Sequence, residues 1–133
     1  MSRMKLGKAL ICYNKIMGAL RTEKMEQKYK KFRAEGFLAD GCNLCNRAKS
    51  IKKFKYWRVV NNLFPYNRIA KVNHIIIPKR HVTYEKLNGV EKKEFNLIKS
   101  TYIEKEYQLI MEATNKRKSI PEHFHIQLIV LKK

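Results

Sequence analysis

The chain has 133 residues and a mass of 15.9 kDa, which is the size of one domain with a real hydrophobic core. Apolar residues make up 44% and charged residues 31%, a balance that excludes a disordered tail. Lys and Arg outnumber Asp and Glu by 30 to 11, a net charge of +19, which predicts nucleotide, nucleic acid or an acidic membrane surface as partner. The apolar runs are shorter than the ~20 residues of a membrane span, and no secretory signal is recognised, so we expect a cytoplasmic protein.

Acidic residues are absent from the middle of the chain. No Asp or Glu occurs between Asp40 and Glu85, although this stretch contains ten Lys and Arg residues. A genome rich in A and T would raise the Lys content without any function, and this explanation stays open. The missing acidic residues are explained better by a surface that binds phosphate groups.

The sequence pattern of residues 5–55 predicts one helix followed by irregular structure. Over residues 5–35, apolar side chains recur at helical spacing among Lys, Arg, Glu and Gln, which predicts an amphipathic helix packed on the domain. A basic arm for nucleic acid or lipid is the alternative. Gly18 is a candidate break in this helix and Gly36 a candidate end. Residues 37–55 are predicted to be irregular.

The rest of the chain alternates strands with one further helix. Strands are predicted at 56–62, 74–78, 107–113 and 122–131, a helix at 90–106, and loops at 63–73 and 114–121. This order predicts an α+β fold with a mostly antiparallel sheet, two main helices and a basic N-terminal helix. We therefore divide the chain into a helical extension, residues 1–36, and a single domain, residues 37–133.

The last predicted strand carries two histidines. His123, His125 and Gln127 alternate with apolar residues, so in a strand they would share one face at intervals of ~6.7 Å. Imidazole and amide groups are costly to bury unless they are hydrogen-bonded. The pattern therefore indicates either a functional face or a half-exposed strand that happens to contain histidine.

Cys42 and Cys45 form a Cys-x-x-Cys pair. In a cytosolic chain this spacing indicates a metal site or a redox dithiol, and the dithiol is disfavoured because no βαβ unit surrounds the pair. A structural zinc site needs four nitrogen or sulfur ligands, so two of the four histidines would have to complete it. Unligated thiols are the other interpretation.

Together, these motifs resemble those of the histidine-triad (HIT) superfamily, whose active strand reads His-φ-His-φ-His-φ-φ, with φ apolar. Residues 123–127, His-Phe-His-Ile-Gln, match it with Gln as the third member. This variant is similar to the branch that contains galactose-1-phosphate uridylyltransferase and the dinucleoside tetraphosphate phosphorylases. Residues 62–66 resemble the family's Asn-x-φ-Pro-Tyr segment, and residues 74–82 its His-φ-φ-φ-Pro-Lys-Arg-His-φ segment. The cysteine pair lies where zinc-binding members carry theirs, and the match covers about residues 40–131.

The resemblance implies a single HIT-like domain that carries out nucleotidyl chemistry. His125 would attack the α-phosphate of a nucleotide to form a nucleotidyl-histidine, which water, phosphate or a phosphorylated acceptor then resolves. A neutral imidazole is a good nucleophile near pH 7. Gln127 can donate a hydrogen bond to a phosphate oxygen but cannot act as a general acid. In the family, Gln at this position accompanies transfer and His accompanies hydrolysis, so transfer is favoured.

The resemblance also implies a structural zinc ion. Its ligands would be Cys42, Cys45, His81 and His123, with His74 as a less favoured fourth ligand. Zinc would then hold the segment that presents the nucleophile, with no coordination position left open for substrate.

For the substrate, the resemblance assigns Asn62, Pro65 and Tyr66 to the nucleoside pocket and Ser119 to the phosphate oxygens. Phe64 suits the core and base stacking equally well. Three functions stay open at this point. They are an enzyme acting on a nucleoside phosphate or dinucleoside polyphosphate, a nucleic-acid 5′-end deadenylating enzyme resembling aprataxin, and a non-catalytic basic module that binds nucleotide or nucleic acid. Many members of the family are dimers, so the resemblance leaves a homodimer open alongside a monomer.

Overall fold

A computed structural model describes residues 20–35, 42–46, 48–114 and 120–133 of the chain. The strands are β1 Ser50–Lys53, β2 Trp57–Asn61, β3 Ala70–Pro78, β4 Leu109–Met111 and β5 Ile126–Leu131. The helices are α1 Glu23–Ala34, the short α2 Asn43–Asn46 and α3 Gly89–Ile98, which continues through a π-helical turn, Lys99–Ile103, into Glu104–Glu106. A 3₁₀ turn, Tyr84–Lys86, precedes α3. No helix in these ranges combines the length and hydrophobicity of a membrane span.

The five strands form one antiparallel sheet in the order β1-β2-β3-β5-β4. β3 lies at the centre and pairs along both edges, with Ile76 opposite Val59 on one side and Ile126 on the other. The predicted α+β fold with a mostly antiparallel sheet is confirmed.

Apolar side chains are buried on both faces of this sheet. α3 and its continuation cover one face, where Trp57, Ile76 and Leu128 are fully buried. The helix contributes Ile98 and Ile103 to the same cluster. On the opposite face a smaller cluster packs the sheet against the segments at the cysteine pair and before β5; its members are Leu44, Val60, Ile75, Ile77 and Ile120.

The start of α3 is fixed by a buried carboxylate. Glu91 and the N-cap Asn88 form a capping box, in which each side chain accepts from the backbone N–H of the other. Arg80 Nη2 lies 2.6 Å and Nε 3.0 Å from the two carboxylate oxygens of Glu91. These hydrogen bonds hold the pKa of Glu91 below its ordinary value. They also tie α3 to the residues that follow β3.

The helix predicted over residues 5–35 is wrong at Thr22, where the chain is extended. Thr22 is the N-cap of α1, and its side chain accepts a hydrogen bond from Met25 N at 3.3 Å. A hydroxyl in the middle of a helix offers little, whereas at the N-cap it satisfies an otherwise unpaired N–H. Residues 1–19 and 36, including both glycines considered above, lie outside the described residues.

Three strand boundaries differ from the prediction. β1 lies within the segment predicted to be irregular, and β3 begins at Ala70, inside the predicted loop 63–73. β5 begins at Ile126 and not at residue 122. Ladder pairing decides these limits, since Ala70 pairs with Leu131 at the far end of β5. Neighbouring strands supply this information, and a single segment does not contain it.

The late start of β5 changes the position of both active-strand histidines. Phe124 N donates to Val82 O at 2.8 Å, so the chain before Ile126 pairs with the segment that follows β3 and not with β3 itself. His123 and His125 therefore precede β5. Of the three residues expected to share one face of a strand, only Gln127 lies within the strand.

Candidate functional site: a metal cluster beside an amide network

Two cysteines and two histidines converge at the end of the sheet. Cys42 immediately precedes the short helix α2, and Cys45 lies within it. His81 follows β3, and His123 precedes β5. His123 Nδ1 lies 3.3 Å from each sulfur and 3.2 Å from His81 Nδ1, which lies 3.4 Å from the Cys45 sulfur. All four ligand atoms lie within 4.8 Å of one another. The predicted ligand set is brought together, and it can hold a metal ion such as zinc.

The donor set and its spacing fit zinc. Four ligands placed tetrahedrally around Zn²⁺, with sulfur at ~2.3 Å and nitrogen at ~2.0–2.1 Å, lie about 3.3–3.8 Å apart. The four separations of 3.2–3.4 Å agree with this range to within a few tenths of an ångström. Two thiols and two imidazoles in a closed arrangement are typical of structural zinc sites, in which every coordination position belongs to the protein.

Neighbouring groups orient the ligands. His123 is buried, with 1% of its surface exposed, and its Nε2 lies 3.0 Å from Pro78 O. A carbonyl oxygen only accepts, so Nε2 carries the proton and Nδ1 presents its lone pair to the sulfurs. Arg58, on β2, donates to Leu44 O and, at 2.8 Å, to Ala48 O. These bonds fasten the cysteine segment to the sheet.

The electrostatics of the cluster suit a bound cation. Desolvation, with the hydrogen bond and charge of the Cys42 sulfur, raises the pKa of the Cys45 thiol to about 11. Burial, reinforced by the positive charges of His81 and His125, lowers the pKa of His123, although the hydrogen bond to Pro78 O opposes this. Neutral imidazole is the form that binds metal, and a cation displaces the thiol protons as it binds.

His125 has the opposite tautomer to His123. Its Nδ1 lies 2.9 Å from the backbone oxygen of His123, and this oxygen can only accept. Nδ1 therefore carries the proton and the lone pair is on Nε2. The side chain is half-buried. Two histidines separated by one residue thus direct lone pairs from different ring nitrogens, because each is held by a different carbonyl.

Gln127 lies on β5 within a network of three side-chain amides. Its Oε1 accepts from Asn73 Nδ2 at 2.8 Å and from Asn62 Nδ2 at 3.1 Å. Both asparagines are themselves oriented by the backbone, because Asn73 Oδ1 accepts from Tyr66 N and Asn62 Oδ1 from Phe64 N. A backbone N–H can only donate, so the oxygens of both asparagines face these N–H groups and their nitrogens face Gln127. The oxygen of Gln127 must therefore face the asparagines. Gln127 Oε1 is held by the asparagines, and Nε2 is the group left to act as a donor.

Asn73 is the member of this network that sequence reasoning missed. It was predicted to end a loop, where Asn is common, whereas it is a buried residue of β3 with 5% of its surface exposed. The one available signal was its position immediately before the apolar strand 74–78. Only the pairing of β3 with β5 brings it to Gln127, which is 54 residues away in sequence.

The other predicted substrate residues occupy different environments. Asn62 is in the amide network, and Pro65 is half-buried in the loop that follows. The Tyr66 ring is buried, with the Arg21 guanidinium 4.8 Å from its centroid. Phe64 packs between the rings of α1, which makes it a core residue and not a surface for base stacking. Ser119 lies outside the described residues.

His74 is not part of the metal cluster. It lies on β3, and its Nδ1 is 2.7 Å from the hydroxyl of Tyr107. Burial lowers the pKa of His74. His74 is thus a strand histidine paired with a tyrosine, and the structure does not bring this less favoured fourth ligand to the cluster.

Comparisons with solved structures find a similarity in fold. A solved structure described as "Hit Like Protein" is similar over 62% of this chain and 84% of that chain, with a TM-score of 0.41 and 19% sequence identity. No family model and no curated protein matches the sequence. The chemistry of the site has to be inferred from its own residues.

Proposed function

We propose that this protein is a HIT-like enzyme that acts at the α-phosphate of a nucleoside phosphate or dinucleoside polyphosphate, with His125 as the nucleophile. The observation that carries the proposal is the 2.9 Å hydrogen bond from His125 Nδ1 to His123 O. This bond puts the lone pair on Nε2 and fixes the plane of the ring. An oriented neutral imidazole is what attack at phosphorus requires.

The proposed reaction has two displacements at phosphorus. His125 Nε2 attacks the α-phosphorus, an N–P bond forms, and the P–O bond to the leaving group breaks with its electron pair on oxygen. Water or a phosphorylated acceptor then attacks phosphorus from the opposite side, and the N–P electron pair returns to Nε2. The His123 carbonyl stabilises the positive charge that the ring carries in between, since it accepts from Nδ1–H.

Gln127 is proposed to bind the transferred phosphoryl group as a donor. Asn73 and Asn62 occupy Oε1, so Nε2 is available to a phosphate oxygen, whose charge increases in the transition state. An amide cannot protonate a leaving group. The reaction is therefore favoured when the leaving group departs as a stable phosphate anion that needs no proton. This condition suits nucleotidyl transfer better than the hydrolysis of an ester whose leaving group must be protonated.

The substrate-binding roles of Asn62, Pro65, Tyr66 and Ser119 are part of the proposal. Asn62 supports Gln127 directly. Tyr66, with its ring buried, is proposed to act through its backbone and the shape of the loop. The division into an extension, residues 1–36, and a catalytic domain, residues 37–133, is likewise proposed.

Zinc is the proposed occupant of the metal cluster. When bound, it would supply a cross-link between α2, the segment after β3 and the segment before β5, with no Lewis-acid role toward substrate. Its ligands Cys42, Cys45, His81 and His123 would thereby hold the carbonyl of His123 against His125. Metal binding and nucleophile orientation are thus coupled through one residue.

The nucleotidyl-histidine can be trapped directly. Purified protein is incubated with α-³²P nucleoside triphosphates and with labelled dinucleoside polyphosphates, quenched, and examined for a label that is labile in acid and stable in alkali. We expect a label on the wild type and none on His125→Asn, with turnover lower by about 10⁴-fold or more. His74→Gln is the matched control, because the imidazole that it removes is hydrogen-bonded to Tyr107 and not to a residue of the metal cluster or of the amide network.

Undiminished turnover by His125→Asn would overturn the proposal. Product without a detectable label on the wild type would mean that hydrolysis of the intermediate is fast, which would reverse the preference for transfer. Nucleotide binding with neither label nor product would identify a non-catalytic module.

A further inference from the structure

A basic groove runs along the outer face of α1. Its volume is about 620 Å³, and it is bounded by α1 and by Asn67 of the loop that follows β2. Lys24, Lys28 and Lys31 contribute to its walls and are exposed. Of the described residues that line it, none is acidic.

The three lysines form a single stripe. They are spaced i, i+4, i+7, which places them on one face of a helix. At a rise of 1.5 Å per residue, the stripe is about 10 Å long. A stacked strand of nucleic acid carries one phosphate per ~3.4 Å, so the stripe spans about three phosphate intervals, which is enough for each lysine to contact a different phosphate.

α1 holds this stripe in a fixed position relative to the domain. Arg21, which is buried, lies 4.6 Å from the Tyr29 ring centroid and 4.8 Å from that of Tyr66. Its Nε donates to Phe64 O at 2.8 Å. The guanidinium therefore joins Tyr29 of the helix to Phe64 and Tyr66 of the loop. The groove is built on a docked element and not on a loose arm.

A second anchor closes one end of the groove. Thr22 N donates to Asn67 Oδ1 at 2.8 Å, and Asn67 Nδ2 donates to Thr22 Oγ1 at 3.1 Å. Asn67 follows Tyr66, whose backbone N–H orients Asn73 in the amide network. The groove and the proposed nucleotide site therefore share one loop, residues 62–67.

The charge of the groove is uncompensated. On the inner side of α1, Glu26 pairs with Arg21, and Arg33 lies over the Tyr29 ring. In the described part of the chain, Lys24, Lys28 and Lys31 form no ion pair. The whole chain carries +19, so the positive field at the groove is not cancelled by the surrounding surface. A cationic groove of this kind is complementary to a polyanion.

We infer that this groove binds the phosphodiester backbone of a single nucleic-acid strand. Three lysines on one line fit regularly spaced phosphates, which a mononucleotide lacks. Because Lys contacts phosphate as a point charge and reads no base, binding should be independent of sequence and strongly dependent on salt. The site is distinct from the proposed nucleophile, and its occupancy does not require nucleotidyl chemistry.

The test compares two triple variants of equal charge. In the first, Lys24, Lys28 and Lys31 are all changed to Gln. In the second, three exposed lysines of α3 and its continuation are changed to Gln; they are Lys93, Lys99 and Lys105. Binding of a fluorescein-labelled single strand of about 12 nucleotides is measured by anisotropy over a range of salt concentrations.

We expect the groove variant to bind at least about tenfold more weakly near 100 mM salt. Its slope of log K against log salt should be smaller in magnitude by about 2, since each phosphate contact on a single strand contributes about 0.7. The control variant should retain most of the wild-type slope. Circular dichroism and zinc content verify that both variants are folded.

Equal losses in the two variants would overturn the inference, because net charge alone would then explain binding. Absence of binding by the wild type would also overturn it. Vesicles containing phosphatidylserine are tested in parallel, and a groove-dependent loss of vesicle binding without loss of strand binding would assign the groove to a membrane surface instead. The His125→Asn variant should bind the strand as the wild type does. A failure of the groove and a failure of the proposed chemistry are therefore separate results.

Discussion

The metal cluster and the amide network are both positioned by the same sheet, but different interactions hold their side chains in place. The cluster brings two thiols and two imidazoles within 4.8 Å of one another, and a metal ion would complete it. In the amide network, backbone N–H groups of residues 64 and 66 orient two asparagines, which in turn orient Gln127. With the proposed zinc, the first region would depend on an ion that is not part of the chain, whereas the second is completed by the chain itself.

This difference teaches where each region is vulnerable. Removal of a metal ligand would take away the ion that cross-links three segments, so stability and activity should fall together. Removal of an amide contact leaves the same fold with a differently oriented side chain, so activity should fall with a smaller loss of stability. His123 links the metal cluster to the proposed nucleophile, because its side chain joins the cluster and its carbonyl accepts from His125.

The largest effect is expected from loss of a metal ligand. Cys42→Ser should abolish stoichiometric zinc binding and lower the free energy of unfolding by about 4 kcal/mol or more. Zinc content by mass spectrometry and urea unfolding with and without a chelator measure both. The wild type in chelator should resemble the variant without it. A variant that lost zinc with unchanged stability would show that the cluster has no structural role.

A smaller and more selective effect is expected from Asn73→Asp. The carboxylate can still accept from Tyr66 N but can no longer donate to Gln127 Oε1, so the glutamine amide should rotate and present oxygen to the substrate. Loss of one oriented donor should lower kcat by about 10²-fold, and zinc content should not change. Some loss of stability, about 1–3 kcal/mol, is expected from the broken hydrogen bonds.

A double-mutant cycle tests whether Asn73 acts through Gln127. If it does, Asn73→Asp should reduce the activity of Gln127→Ala by little more than its effect on stability predicts, since the target of its action is already absent. Fully additive losses in kcat would show that Asn73 affects activity by another route. The amide network would then not act on activity through Gln127, and the contrast drawn above between the network and the metal cluster would be wrong.

The smallest effect is expected at a support that belongs to neither region. Glu91→Gln should lower stability by about 2 kcal/mol at neutral pH, because the charge-assisted hydrogen bonds between the buried Glu91 carboxylate and the half-exposed Arg80 guanidinium are lost. The pKa of Glu91 is depressed below its ordinary value of 4.5. Its contribution is therefore present in full above pH 4.5 and decreases as the pH falls below that value toward the depressed pKa.

Urea unfolding at several pH values checks this prediction. The difference between wild type and Glu91→Gln should shrink as the pH is lowered from neutrality past 4.5. Glu104→Gln, at an exposed position of the same helical segment, is the matched control and should show no comparable difference. A stability difference that is independent of pH would mean that the carboxylate charge contributes nothing.

The difference between the two regions also explains which of them could be predicted. The cysteine pair was singled out from sequence because Cys-x-x-Cys has few structural uses, and the family resemblance supplied His81 and His123 as the other two ligands. Asn73 was missed, because asparagine is ordinary in loops and its hydrogen-bonding capacity indicates nothing until its partner is known. The strand limits at Ala70 and Ile126 were missed for a related reason, since they depend on the pairing of β3 with β5.

The sequence by itself determined the α+β class, the alternation of apolar residues that buries Ile126 and Leu128, and the identity of the side chains available for chemistry. The tertiary structure decided which nitrogen of each histidine carries the proton and which atom of Gln127 faces the asparagines. It also decided that α1 docks on the loop after β2. The physical reason is that composition and periodicity act within a segment. Tautomers, amide orientations and docking are set by hydrogen-bond partners tens of residues away.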